Sequence, residues 1–145
     1  MMKKIQLILS LAGLLIFSSA YSQCRTFVKT SCAEAMGEYI PSENFNGAKL
    51  SPGDMAEVKM TFYAGEKYRL LICSHPMIGN VDFQVLDKDG VTLYNNTEDN
   101  QSDHFDFSLL GTQELTIVLK VSPDNKSALN PQGCVAILIG RLIQN

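Results

Sequence analysis

From Ala56 to Ser74 the chain reads AEVKMTFYAGEKYRLLICS, and its apolar residues recur at every second position. Ala56, Val58, Met60 and Phe62 share one face, with Glu57, Lys59, Thr61 and Tyr63 on the other. A period of two is that of an extended strand with one buried face. Ala64-Gly65-Glu66 then supplies a tight loop, with glycine where a positive φ is needed. In the segment that follows, Tyr68, Leu70 and Ile72 fall on one side, and Arg69, Leu71 and Cys73 on the other. The pattern predicts a hairpin whose second strand, apolar on both faces near its end, is central in a sheet.

The same alternation recurs downstream. Val81, Phe83 and Val85 form a strand that returns through the turn Asp87-Lys88-Asp89-Gly90 into Val91–Tyr94. Asn95–Asp103 is polar and reads as a surface loop; Phe105 and Phe107 share a face after it. Leu115, Ile117, Leu119 and Val121 make a long alternating strand, Pro123–Gln132 a polar loop, and Cys134–Ile139 (CVAILI) a second central strand. Tyr39–Ser51 is rich in turn formers and is expected to wrap the body, and Pro52-Gly53-Asp54 to turn into the first strong strand. About seven short strands punctuated by turns specify an all-β fold, an antiparallel, jelly-roll-like β-sandwich. The expected core is Val58, Met60, Phe62, Tyr68, Leu70, Ile72, Phe83, Phe107, Ile117, Leu119, Val135 and Ile137.

The N-terminus obeys a different rule. Met1–Lys4 is a short basic stretch, Ile5–Phe17 an apolar run, and Ala20-Tyr21-Ser22 places small residues before a cleavage site. Residues 1–22 are expected to be a secretory signal peptide, and 23–145 a single exported domain, periplasmic or extracellular. A lipoprotein reading competes, because Cys24 lies just past the apolar run, but Tyr21 and Gln23 do not fit the residues such a cysteine wants before it. Loss of Lys3 and Lys4 with the leader leaves ten basic against fifteen acidic residues, a net charge of −5. There is no basic run, which argues against nucleic acid as a partner, and no further stretch suited to span a bilayer.

Four cysteines remain, Cys24, Cys32, Cys73 and Cys134, and an even count in an exported chain reads as disulfides. None sits in C-x-x-C. Cys24, Phe27, Val28, Cys32, Ala35 and Met36 have helical spacing, which predicts a helix over 24–36 stopped by Gly37. Cysteines eight apart on one helix are about 12 Å apart, too far to pair. Each must then reach Cys73 or Cys134, in either of two connectivities that the sequence leaves open. Cys24–Cys32 with Cys73–Cys134 requires Cys24 to precede the helix. A helix laid across the end of the sandwich where Cys73 and Cys134 meet would satisfy either of the first two.

Residues with chemistry are sparse. Asp87 and Asp89 with Gly90 have the spacing that opens a calcium loop, yet Val91, Leu93 and Tyr94 follow where more oxygen donors belong, and Asp-Gly is also an ordinary hairpin turn. His75 follows Ser74 directly, and His104 lies near Asp103 and Asp106. No G-x-S-x-G or H-E-x-x-H surrounds them, so both read first as surface histidines. Tyr39, Phe45, Tyr63 and Tyr94 are candidates for exposed faces that stack on a sugar or a partner's apolar patch. Asn-x-Ser/Thr, the glycosylation sequon, occurs at Asn95, Asn100 and Asn125, and a bacterial origin would make it irrelevant.

With G-E-K-Y-R-L-L-I-C, V-D-F-Q-V-L-D-K-D-G and the closing G-C-V-A-I-L-I-G, the chain resembles an uncharacterised family of small secreted proteins from Bacteroidetes-type bacteria. More loosely, Tyr63–Tyr68, Val81–Asp87, Asp89-Gly90 and Phe105–Phe107 are similar to the bacterial pre-peptidase C-terminal domain, a likeness that implies a jelly-roll-like β-sandwich and bears on fold more than on function. The reading that follows is an exported, non-enzymatic binding or envelope-associated module, with a protein or glycan partner and no cofactor. The alternatives are a calcium- or glycan-binding accessory domain using Asp87, Asp89 and the aromatics, and a small hydrolase using His75 or His104.

Overall fold

The computed structural model describes residues 24–124 and 131–144. The expected signal peptide with Gln23, and the Asn125-Lys126-Ser127 sequon, lie outside the described residues. Among the described residues, nine strands form two antiparallel sheets. One contains β3 (Met55–Phe62), β8 (Gln113–Val121), β5 (Val81–Leu86) and β6 (Thr92–Asn95), in that order. The other runs from β9 (Gly133–Arg141) through β4 (Lys67–Ser74) to β7 (His104–Ser108). On the far side of β9 it carries β1 (Ile40–Pro41) and β2 (Asn46–Leu50).

The expected hairpin at Ala56–Ser74 is not one. β3 pairs with β8, and β4 pairs with β7 and β9, so the two strands lie in opposite sheets. Residues 63–66 form an arch over the core, with Gly65 at φ 80°. Phe62 and Tyr68 meet across it edge to face, their rings 5.0 Å apart. A hairpin and an arch place the same alternating residues inward; they differ only in whether the strands meet through backbone or through side chains. The downstream expectation holds: β5 and β6 form a hairpin through Asp87–Gly90.

Tyr39–Ser51 also departs from the reading as a wrap without strands, since β1 and β2 are built from it. β2 (NGAKL) is mostly exposed, so it carries no apolar alternation to betray it.

The inward faces of the two sheets make the main core. All twelve expected core residues belong to it: Val58, Met60 and Phe107 are half-buried at its margins, and the other nine are buried. A second cluster lies on the opposite face of the β9–β4 sheet, where Leu71, Ala136 and Leu138 pack under Val28, Cys32 and Met36. The chain is helical from 24 to 36: α over 24–27, π over Val28–Cys32 and 3₁₀ over Ala33–Met36. Its buried residues are Cys24, Val28, Cys32 and Met36, each four after the last. The wider π turn brings Cys24, Val28 and Cys32 near one line, where a uniform α-helix would rotate them away. Gly37, at φ 58°, ends the helix as expected.

The disulfides are Cys24–Cys134 and Cys32–Cys73, with Cα–Cα distances of 5.4 and 5.8 Å. This is one of the two connectivities that an intact helix permits. The helix does not cross the end of the sandwich, however. It lies along the outer face of the sheet, from Cys134 to Gly140, where Met36 and Tyr39 leave no room for a Cβ. A lipid thioether needs the Cys24 sulfur free, so this pairing and the lipoprotein reading exclude each other.

Candidate functional site

The strand registers sort the loops into two ends. Residues 63–66, 87–91 and 109–112 emerge at the end where Phe62 pairs with Gln113 and Lys67 with Ser108. The segment after Arg141 emerges there too, with the Leu142 amide donating to the Lys67 carbonyl at 2.9 Å. These loops are tied to one another. Gly65 N–H donates to the Leu109 carbonyl (3.0 Å), Ala64 N–H to the Thr112 hydroxyl (3.0 Å), and Tyr63 N–H to the Tyr68 hydroxyl (3.1 Å).

Exposed apolar side chains concentrate here. Of the eight large ones among the described residues, Ile40, Tyr63, Val91, Leu93, Leu110 and Ile143 lie at or beside this end; only Met55 and Met77 lie toward the other. Leu110 projects fully into solvent, and Tyr63 is 62% exposed. Scattered exposed apolar residues are ordinary, but a clustered set is a mark of an interaction surface. Beside them, the seam between the two sheets opens into a cleft of ≈ 780 Å³, between Ile40–Pro41 on one edge and Met60–Tyr63 on the other, with Tyr68 and Ile139 lining it. That volume is in the range of small-ligand and side-chain pockets. Two ion pairs lie at this end, Arg141 with Glu66 at 3.9 Å and Lys88 with Asp89 at 2.9 Å. The opposite end carries Asp54, Asp82, Glu98, Asp99, Asp103 and Asp124.

Of the four aromatics singled out in the sequence, Tyr63 alone is exposed. Tyr39 is half-buried, with the Arg69 guanidinium 4.7 Å from its ring centre. Burial, with Asp106 nearby, pushes its hydroxyl pKa up. Phe45 packs at the rim of the helix cluster. Tyr94 stacks on Phe105 at 4.3 Å, and its hydroxyl donates to Asp99 at 2.7 Å; burial and that bond raise its pKa.

Asp87 organises its turn. Its Oδ1 accepts from the amides of Asp89 (2.8 Å) and Val91 (2.9 Å), while Asp89 pairs with Lys88. No group of three or more His, Cys, Asp or Glu among the described residues is placed to hold a metal ion. His75 Nδ1 accepts from the Met77 amide at 3.2 Å, capping a 3₁₀ turn. His104 Nδ1 lies 2.8 Å from Asp103 on the surface, whereas Asp106 turns away to a two-pronged pair with Arg69, both contacts at 2.7 Å. The structure thus gives Asp87, His75 and Asp106 local structural work.

Two residues passed over in the sequence matter. Leu110 is the most exposed of the large apolar side chains among the described residues, and Asn96, in the supposed surface loop, is buried. Asn96 accepts from the Phe83 amide (2.8 Å) and donates to the carbonyls of Val81 (3.0 Å) and Ser102 (3.2 Å). A short polar residue amid polar neighbours carries no periodicity to reveal either role.

No protein-family model matches the chain, and no curated protein matches it. Among solved structures it is similar to PliG of Aeromonas hydrophila, a periplasmic lysozyme inhibitor of g-type lysozyme. The match has a TM-score of 0.50 at 11% identity and covers 71% of this chain and 87% of that one. At this identity the likeness is one of fold: both chains build the same kind of β-sandwich.

Proposed function

We propose that the protein is an exported, non-enzymatic binding module that engages another protein through the loop end bearing Tyr63 and Leu110. The observation that carries this reading is the gathering of exposed apolar side chains around the cleft at that end. A projecting Leu and an amphipathic Tyr on loops tied together by hydrogen bonds make a preorganised anchor, which lowers the entropic cost of docking. Two disulfides suit an oxidising compartment. The acidic balance, fifteen acidic against twelve basic residues, favours the approach of a cationic partner.

The fold likeness to a lysozyme inhibitor suggests the first partner to try. Purified protein titrated into a g-type lysozyme is expected to bind it and slow cell-wall lysis, and Tyr63→Ala with Leu110→Ser to lose that effect while melting normally. A protein that neither binds nor inhibits would exclude this partner. Binding that survives the double substitution would exclude this end. Tyr63 beside the cleft also favours a second reading, a glycan stacked on its ring. Soluble peptidoglycan fragments that bind with loss of affinity in Tyr63→Ala would establish it.

A further inference from the structure

β3 is the longest strand at a sheet edge and has no proline. The other edge strands are shorter: β6 spans four residues, β7 and β2 five each, and β1 only two, ending on Pro41. The backbone phase of β3 follows from its entry. Val121 N–H donates to the Asp54 carbonyl at 2.9 Å, so residue 54 faces β8. In an antiparallel ladder the bonding direction alternates, so Ala56, Val58, Met60 and Phe62 turn their backbone toward β8. Met55, Glu57, Lys59 and Thr61 turn theirs outward, and all four are exposed. The contact from the other sheet, Asn46 Nδ2 to Met60 Sδ at 4.0 Å, falls on the inner face of β3.

We infer that this edge pairs with β3 of a second copy of the chain, antiparallel and centred on Val58. That register sets Glu57 opposite Lys59 of the second copy and Lys59 opposite its Glu57, with Met55 and Thr61 opposite each other. All of these are outward-facing positions, so each pair exchanges two backbone hydrogen bonds. On the inner face, Ala56 meets Met60 and Val58 meets Val58, which covers apolar side chains that are only half-buried in one copy. Charge selects the register. Centring on Glu57 or Lys59 sets like charges directly opposite, and centring on Met60 leaves Glu57 opposite Tyr63. Lysine on an edge strand ordinarily discourages pairing; here a glutamate two residues away supplies its complement. The inference is independent of the proposed function. The two-fold points the two Tyr63–Leu110 ends in opposite directions and leaves both loops exposed, while Met60 and Thr61 on one wall of the cleft enter the pairing.

Sedimentation equilibrium of the mature protein tests it. The wild type is expected to show a concentration-dependent monomer–dimer equilibrium. Glu57→Lys and Lys59→Glu are each expected to raise the dissociation constant roughly ten- to a hundredfold, since both symmetric pairs turn repulsive. The swap Glu57→Lys/Lys59→Glu is expected to restore the dimer, and an equimolar mixture of the two single variants to form a heterodimer. Unchanged thermal melts of these exposed variants at low concentration show that folding is intact. A monomer at all concentrations up to about 1 mM, a dimer that ignores the reversals, or a swap that fails to rescue would each overturn the proposal. So would amide protection of Met55–Thr61 that appears only when another protein binds, which would give the edge to that partner's strand.

Discussion

The two sheets share a core but meet different surroundings on their outer faces. In the β9–β4 sheet, Leu71, Ala136 and Leu138 are buried beneath the helix, and two disulfides fasten that helix down. In the β8–β5 sheet, the outward residues Glu114, Thr116, Val118 and Lys120 are exposed or half-exposed, and nothing covalent touches them. The difference shows where a small domain places its cross-links. A helix this short cannot persist alone in water, so the layer that most needs help is the one that is stapled. The uncovered sheet needs no staple, and it keeps the free edge and half of the loop end for contacts outside the chain.

The comparison is broken most drastically by removing the staples. In the chain-entropy picture, Cys24–Cys134 closes 110 residues and Cys32–Cys73 closes 41. They contribute about 5 and about 4 kcal/mol respectively. Reduction is expected to release the helix before the sandwich melts. Hydrogen exchange under reducing conditions should show residues 24–36 losing protection first, with β8 and β5 last. Simultaneous loss would show that the sheets depend on the helix rather than the reverse.

A matched pair of truncations sharpens the same contrast. Leu71 and Val118 both point outward from central strands, but Leu71 is 1% exposed and Val118 is half-exposed. Leu71→Ala is expected to cost about 2–5 kcal/mol in urea unfolding, as do Phe62→Ala and Ile72→Ala in the shared core. Val118→Ala should cost less than about 1 kcal/mol. Equal losses at Leu71 and Val118 would mean that the helix does not shield its sheet.

Asn96 offers a smaller effect on the uncovered sheet. Asn96→Ala leaves the Phe83 amide and the Val81 carbonyl without their partner, at an expected cost of about 2–3 kcal/mol. Asn96→Asp should not rescue it, because a carboxylate cannot donate to the carbonyls of Val81 and Ser102.

Alternation along β3, β4, β5 and β8 was enough to name most of the core, because burial writes itself into a period of two. The apolar outward faces of β4 and β9 marked them as central, with the helix spacing supplying the cover. What pairs with what was not legible at Ala56–Ser74, since an arch and a hairpin present the same residues inward. β2 was hidden because its exposed side chains have no reason to alternate. The candidate site was legible only at Tyr63. Leu110 sits in a turn and gains meaning from the Tyr63 loop beside it, which Gly65 N–H ties to the Leu109 carbonyl. Asn96 looks like any other loop polar residue until the chain folds over it.

The last test concerns the far end of the helix, where charge takes the place of sulfur. Arg69 of β4 grips Asp106 of β7 with two contacts of 2.7 Å and donates to the carbonyls of Ala35 (3.2 Å) and Met36 (3.5 Å) at the end of the helix. The hydrogen bonds from Arg69 hold the Asp106 pKa below its ordinary value. A carboxylate with a depressed folded pKa adds stability that is fully present above its unfolded pKa, about 3.9, and is lost as the pH falls through the folded value. Asp106 is 38% exposed, so solvent screening limits the pair to about 1 kcal/mol. Asp106→Asn should therefore melt lower than wild type at pH 7, with the two curves drawing together in an acid titration below about pH 4, where the wild-type carboxyl takes up its proton and matches the amide in charge. A gap that stays constant down to pH 2 would show that Asp106 acts by shape alone, and that the disulfides, not this ion pair, hold the helix at both of its ends.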